Sequence, residues 1–192
     1  MNRSTDPLNP SKVTNMTKSA VILISLLFVS MAAAAEMEPA PALALTDDTG
    51  TVVNLPRSHN GVDVYFFWAS WCPYCKALMP HLQSINEEYG DRVTIFALQI
   101  RDDEDPRAFL DRYGYDFVLL PDADAAMEPY GVKGTPGVFL VDGSGNIRFN
   151  LYDLRSDDDA AYQALNHSGK AARRAPWWAA RIRQATDEIL HH

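Results

Sequence analysis

The apolar positions of this chain fall into runs of three kinds, and each kind predicts an element. The first kind is continuous. "VDVYFFWA", residues 62–69, is apolar, aromatic or β-branched at nearly every position, which predicts a strand buried on both faces. "RVTIFALQI", residues 92–100, predicts a second such strand, and "DFVLLPD", residues 116–122, a short third one. The second kind recurs at helical spacing. Leu78, Leu82 and Ile85 share a face after Cys72, and Gly90 closes that segment. "DEDPRAFLDRYG" predicts a short helix with Pro106 in its first turn and Gly114 at its end. "ADAAMEPYGV", residues 123–132, predicts a weak helix. Ser156, followed three residues later by Asp159, reads as a helix start that Asp157, Asp158 and Asp159 serve. Trp178, Ile182, Ala185 and Ile189 step by four, three and four, predicting a final helix that opens at Pro176.

The third kind alternates. "LALTDDTGTVVNLPR" does so around Asp48-Thr49-Gly50 and predicts a hairpin. "GVFLVDGSGNIRFNLYD", residues 137–153, predicts a second hairpin, turning at Gly143-Ser144-Gly145-Asn146. Strands alternating with helices, without an internal repeat, predict one α/β or α+β domain around a single sheet.

One apolar run fits none of these elements. "AVILISLLFVSMAAAA", residues 20–35, follows Lys18 and ends in small residues, the pattern of a secretory signal peptide cleaved after Ala35. Met16 is an alternative start for it, and an uncleaved N-terminal anchor is the alternative reading. The run falls short of the roughly 20 residues a spanning helix needs. The expected organisation is a signal peptide over 1–35, a flexible Pro/Ala/Glu-rich lead-in over 36–42 and one domain over 43–192. Export would place the mature protein in the periplasm or outside the cell. The formal net charge of -8 disfavours a nucleic-acid partner, and loss of the basic N-terminus would make the remainder more acidic still.

Export changes how the cysteines are read, because disulfides persist outside the cytosol. Both cysteines lie in "FFWASWCPYCKALMP", residues 66–80, as Cys72-Pro73-Tyr74-Cys75. A metal clip would need four ligands, and none of His59, His81, His167, His191 and His192 forms the second paired half of a zinc spacing. As a staple, the pair closes too small a loop to stabilise much. A redox pair has a physical basis. Cys72 would sit where a strand gives way to a helix with Pro73 at its first position, and a helix N-terminus favours a thiolate. Cys75, one turn on, could then attack a mixed disulfide formed at Cys72. Trp71 would shield one side of the pair and leave Cys72 accessible. "RDDEDP", residues 101–106, lacks the glycine and glutamate of a calcium loop and reads as a solvated turn. Arg173, Arg174, Arg181 and Arg183 read as a solvated basic face.

"FWASWCPYCKALMP" resembles the active-site segment of the thioredoxin superfamily. Pro80 matches that family's helix-kinking proline, and "YGVKGTPGVFLVDGSGNIRF", residues 130–149, resembles its second signature. The N-terminal hairpin and the signal narrow the resemblance to exported, TlpA-like thiol–disulfide oxidoreductases. It implies an α/β thioredoxin-like fold: a central mixed β-sheet flanked by helices, with an N-terminal β-hairpin and a central insertion over about residues 102–120. It further implies Cys72 and Cys75 as catalytic, Trp71, Pro73 and Tyr74 as their surround, and Thr135 with a cis Pro136 as substrate contacts. No cofactor or metal beyond the Cys72–Cys75 disulfide is implied. The implied partners are protein thiols and disulfides, apocytochrome c among the candidates, and a membrane thiol reductase as electron donor. Two alternatives stay open: an oxidant or isomerase in the same compartment, and a non-catalytic module with a static disulfide. The sequence departs from the pattern at Phe66 and Leu78, two places where relatives carry an acid that could take a proton from Cys75.

Overall fold

A computed structural model describes residues 38–155 and 158–191. The segment read as a signal peptide, and Ser156 and Asp157, lie outside the described residues. Twelve elements follow in order: β1 (Glu38–Pro39), β2 (Leu43–Thr46), β3 (Val52–Leu55), β4 (Val62–Trp68), α1 (Pro73–Tyr89), β5 (Val93–Gln99), α2 (Pro106–Tyr113), β6 (Val118–Leu120), β7 (Gly137–Asp142), β8 (Asn146–Asn150), α3 (Ala160–Gln163) and α4 (His167–Leu190). Six strands form a mixed sheet in the order β1-β8-β7-β4-β5-β6, and β2 and β3 pair as a separate hairpin. β4 runs parallel to β5 and antiparallel to β7, so it is central. α2 and β6 come from the segment expected as the insertion, and β6 adds a parallel strand beyond β5.

All seven residues of β4 are buried, which explains why its run is apolar at every position but Asp63. Val62, Val64, Phe66 and Trp68 face a core shared with α1 and α4, while Tyr65 and Phe67 pack on the opposite face with Phe96, Leu98 and Phe139. Asp63 breaks the run yet is 1 % exposed, and Arg57 meets its carboxylate with two hydrogen bonds. α1 buries Leu78, Leu82 and Ile85 against the first face, and Gly90 ends it with φ 55, a conformation that favours glycine. Among the described residues, no helix is long and apolar enough to cross a membrane.

Four local expectations need correction. Glu38 and Pro39 belong to the stretch read as a flexible lead-in, yet they pair with Ile147 and Asn146 at the sheet edge. The weak helix over 123–132 shrinks to a 3-10 turn, Ala123–Ala126, because Pro129 disfavours helical backbone just before it. α3 starts with Asp159 itself as the cap, its carboxylate accepting from the Tyr162 amide at 2.7 Å. α4 does not open at Pro176. It opens at His167, capped by Asn166, whose side chain accepts from the Gly169 amide at 2.8 Å. Pro176 points to solvent inside the helix, and Ala171, Ala175, Ala179 and Ile182 bury beside it. That packing outweighs the hydrogen bond the proline removes. The buried stripe is consequently one of small residues, and Trp178, expected as the first member of the stripe, is half-buried at its flank.

Candidate active site

β4 delivers the chain to one end of the sheet's central strands, and Ala69-Ser70-Trp71 turns it into α1. Cys72 is the N-cap, in extended backbone at φ −80 and ψ 111, and Pro73 takes the first helical turn. The Cys72 amide donates to the Ala69 carbonyl at 3.1 Å, and the Cys72 sulfur accepts the Cys75 amide at 3.2 Å. The sulfur thus occupies the place of a capping oxygen, where the amides of the first turn converge. Both cysteines are thiols, and both are buried; Cys72 is only 2 % exposed. The expectation of an accessible Cys72 shielded by Trp71 is therefore reversed. Trp71 is the exposed group at 57 %, and its indole N–H is drawn away to the Arg101 carbonyl at 2.8 Å.

The two thiols are pushed in opposite directions. The Cys75 thiol donates to the Cys72 sulfur, and this is the largest of the effects that lower the Cys72 pKa to about 6. The Thr135 hydroxyl and the backbone amides of Cys75 and Tyr74 act in the same direction, against burial. Cys75 is pushed well above the ordinary thiol range, mainly by burial and then by its bond to Cys72. Phe66 and Leu78 are fully buried in the same apolar cluster as Cys75, and no carboxylate is among the groups acting on its thiol.

Thr135 and Pro136 come to this site from a distant stretch of chain. Their peptide bond is cis, and the Thr135 hydroxyl interacts with both sulfurs. The loop is held by Tyr152, whose hydroxyl donates to the Gly134 carbonyl. A side chain at Gly137 would meet that hydroxyl at 2.8 Å and Phe67 at 3.3 Å, so the close approach requires glycine. The Tyr74 ring lies 5.9 Å from that of Trp178 of α4, tilted by 48°, which places the final helix beside the dithiol. Every site residue expected from the sequence is thus within this one neighbourhood.

Several residues escaped the sequence reading. Asp102, within the stretch that reads as a solvated turn, reaches the turn before Trp71. Its carboxylate accepts both the Ser70 amide and the Ser70 hydroxyl, the latter at 3.0 Å. Asp105 in the same stretch caps α2 through the Arg107 and Ala108 amides at 3.0 and 3.1 Å. Arg174, which the sequence places on a solvated basic face, is 13 % exposed, pairs with Asp158 and lies 4.7 Å over the Tyr162 ring. Acidic residues three or four apart before a helix were the one available signal; nothing in the sequence places Tyr152 or Tyr162. Among the described residues, no group of three or more His, Cys, Asp or Glu is arranged to hold a metal ion.

Comparison with known proteins agrees with this geometry. A family model described as Redoxin matches residues 35–165. The thiol-disulfide oxidoreductase ResA of Halalkalibacterium halodurans is 32% identical over 114 residues, covering 57% of this chain and 64% of that protein. The thiol:disulfide interchange protein DsbE of Allochromatium vinosum is 35% identical over 118 residues, covering 58% and 63%. The chain therefore spans slightly less than two thirds of these relatives. Among solved structures, a putative thiol:disulfide interchange protein DsbE from Chlorobium tepidum superposes with a TM-score of 0.54 at 26% identity, over 74% of this chain and 96% of that one.

Proposed function

The chain belongs to the Redoxin family, within the thioredoxin-fold thiol–disulfide oxidoreductases, and from that premise we propose an exported reductant of protein disulfides working through Cys72 and Cys75. The observation that carries this reading is the opposed pair of thiols: Cys72 is lowered to about 6 at the helix mouth, while Cys75 stays protonated one turn below. At neutral pH the Cys72 thiolate attacks one sulfur of a substrate disulfide, and the other leaves as a thiolate and takes a proton. Cys75 then loses its proton and attacks Cys72, releasing the second substrate thiol. Two electrons have moved to the substrate, and Cys72–Cys75 is a disulfide. An upstream dithiol must restore it.

On this reading Trp71, Pro73 and Tyr74 surround the pair, and Thr135 and Pro136 contact the substrate chain. The partners are protein thiols and disulfides, with apocytochrome c a candidate, and the donor is a membrane thiol reductase. The protein acts in the periplasm or outside the cell after cleavage near Glu36. Mass analysis of exported material checks that boundary; an intact N-terminus in the membrane fraction would mean an anchor instead.

One observation favours a second reading, an oxidant or isomerase. A stabilised Cys72 thiolate stabilises the reduced pair, which makes the disulfide more oxidising. The reduction potential separates the two, since reducing members lie near about -270 mV and strong oxidants near about -120 mV. Turnover of a model disulfide with a regenerating donor tests both against a static disulfide, which would give none.

A further inference from the structure

Resting on the redox reading above, we propose that the groove between the Thr135–Pro136 loop and α4 receives an acidic stretch of the substrate polypeptide, selected by Arg155 and Arg181. A substrate sulfur must reach a cysteine that is 2 % exposed, so the chain flanking that sulfur has to lie along the adjoining surface. Two clefts offer a path. The cleft on the Trp71 side, about 690 Å³, is rimmed by Asp102, Asp103, Glu104 and Asp105 against Lys76, Arg101 and Arg112. Acids outnumber bases there, and an acidic chain is not favoured.

The other side differs in sign. A groove of about 380 Å³ starts at Tyr74, Thr135 and Pro136 and is walled by Tyr152 and Trp178. Across Tyr162 and Arg174 it continues into a second hollow of about 450 Å³, to which Arg155, Arg173, Arg181 and Trp177 contribute. Asp158 is the one carboxylate among the described residues that line it. Arg173 pairs with Asp159 at 2.9 Å and Arg174 with Asp158. Arg181 lies 5.8 Å over the Trp177 ring and donates to Gln184 at 3.1 Å. Neither Arg181 nor Arg155 forms an ion pair with a carboxylate among the described residues.

A chain of net charge -8 thus sets two arginines, beyond those already paired, on an aromatic groove that runs to Tyr74 and Thr135 beside its dithiol. Aromatic walls suit an extended polypeptide, and guanidinium groups recognise carboxylates by paired hydrogen bonds. The two clefts together also orient the substrate, with its acidic side toward α4.

The test uses the reduced full chain and two synthetic peptides, each with one central cysteine, offered as peptide disulfide dimers. Glutamates flank the cysteine in one and lysines in the other. At low ionic strength the glutamate peptide should react about fivefold faster or more. The ratio should fall toward one in about 0.5 M salt, where screening is short-ranged. Arg155→Ala/Arg181→Ala should abolish the preference, and Arg155→Glu/Arg181→Glu should invert it. Each ratio is taken within one protein, so a poorly folded variant slows both peptides together. Hydroxyethyl disulfide, small and neutral, separates the two readings. If the wild type reduces it but treats the peptides alike, this inference is overturned; if it reduces none of the three, the redox reading itself fails. A preference retained in the alanine variant also overturns it. So does equal peptide reactivity together with arginine-dependent sedimentation on phosphatidylglycerol vesicles, which would make the patch a membrane contact.

Discussion

The mouth of α1 and the pocket one turn beneath it hold the same side chain and treat it in opposite ways. At the mouth, Cys72 meets two backbone amides, the Thr135 hydroxyl and the Cys75 thiol, and its pKa falls to about 6. In the pocket, Cys75 shares a buried apolar cluster with Phe66 and Leu78, and burial pushes its thiol up. Three residues along a helix suffice because the amides at a helix start point outward, while the next turn already faces the core. The difference divides the labour. A thiol ionised at neutral pH attacks and leaves well; a thiol kept protonated waits until a mixed disulfide is present.

The largest effect comes from removing either partner. Cys75→Ser should trap a covalent complex with substrate, and Cys72→Ser should trap none and lose all reductase activity. Gel electrophoresis without reductant reads the result. Equal trapping by both variants would abolish the assigned roles.

The next effect concerns the pocket alone. Without a base, resolution should be slow near pH 7, where even an ordinary thiol of pKa about 8.5 is only about 3% ionised, and should speed up toward pH 9. Leu78 stands at i+3 from Cys75, on the same face of α1. Leu78→Glu places a carboxyl within reach, and burial should lift its pKa toward neutrality, where a general base works best. The expected gain in single-turnover release near pH 7 is about 10²-fold. A flat profile in the wild type would mean another group already takes the proton. The same variant removes packing at a fully buried position, so its thermal stability should fall while its rate rises.

The mouth also depends on support that the sequence hid. The dithiol at a helix start and β4 were legible because each rests on local chemistry, a cap and a nearly continuous apolar run; Pro80 and the Gly-Thr-Pro stretch were legible through their resemblance to the thioredoxin superfamily. The second wall was not. Pro176 looked like a helix start because proline usually is one, and only the tertiary burial of Ala171, Ala175 and Ala179 carries α4 past it. Asp102 looked solvated because its partner Ser70 is 32 residues away, and no short-range pattern reports such a pair. Asp102→Ala leaves the buried Ser70 amide without its acceptor, a loss of about 1–3 kcal/mol. A urea melt should show that loss, together with a change in Trp71 fluorescence as the turn loosens. An unchanged melt would mean that water replaces the carboxylate there.

The smallest effect is the sharpest probe of the contrast, because Thr135 acts on both thiols at once. Its hydroxyl is one of several donors to the Cys72 sulfur, so Thr135→Ala should raise the Cys72 pKa by less than about one unit, the equivalent of 1.36 kcal/mol. Iodoacetamide alkylation of the reduced protein, followed from pH 4 to 9, measures the midpoint, expected near 6 in the wild type. Thr135→Ser should restore it. Stability should move with it. The folded Cys72 pKa lies below the unfolded value of about 8.5, so the unfolded chain binds more protons between them, and stability rises as pH increases from 6 to about 8.5. Cys75 works the other way: its raised folded pKa contributes stability that is lost as pH climbs past about 8.5. Measured against Cys72→Ser/Cys75→Ser, the reduced protein should therefore be most stable near pH 8.5, and Thr135→Ala should flatten the rising limb. A midpoint unmoved by Thr135→Ala would assign the lowered pKa of Cys72 to the helix amides and Cys75 alone, and the loop bearing Pro136 would then serve substrate rather than sulfur.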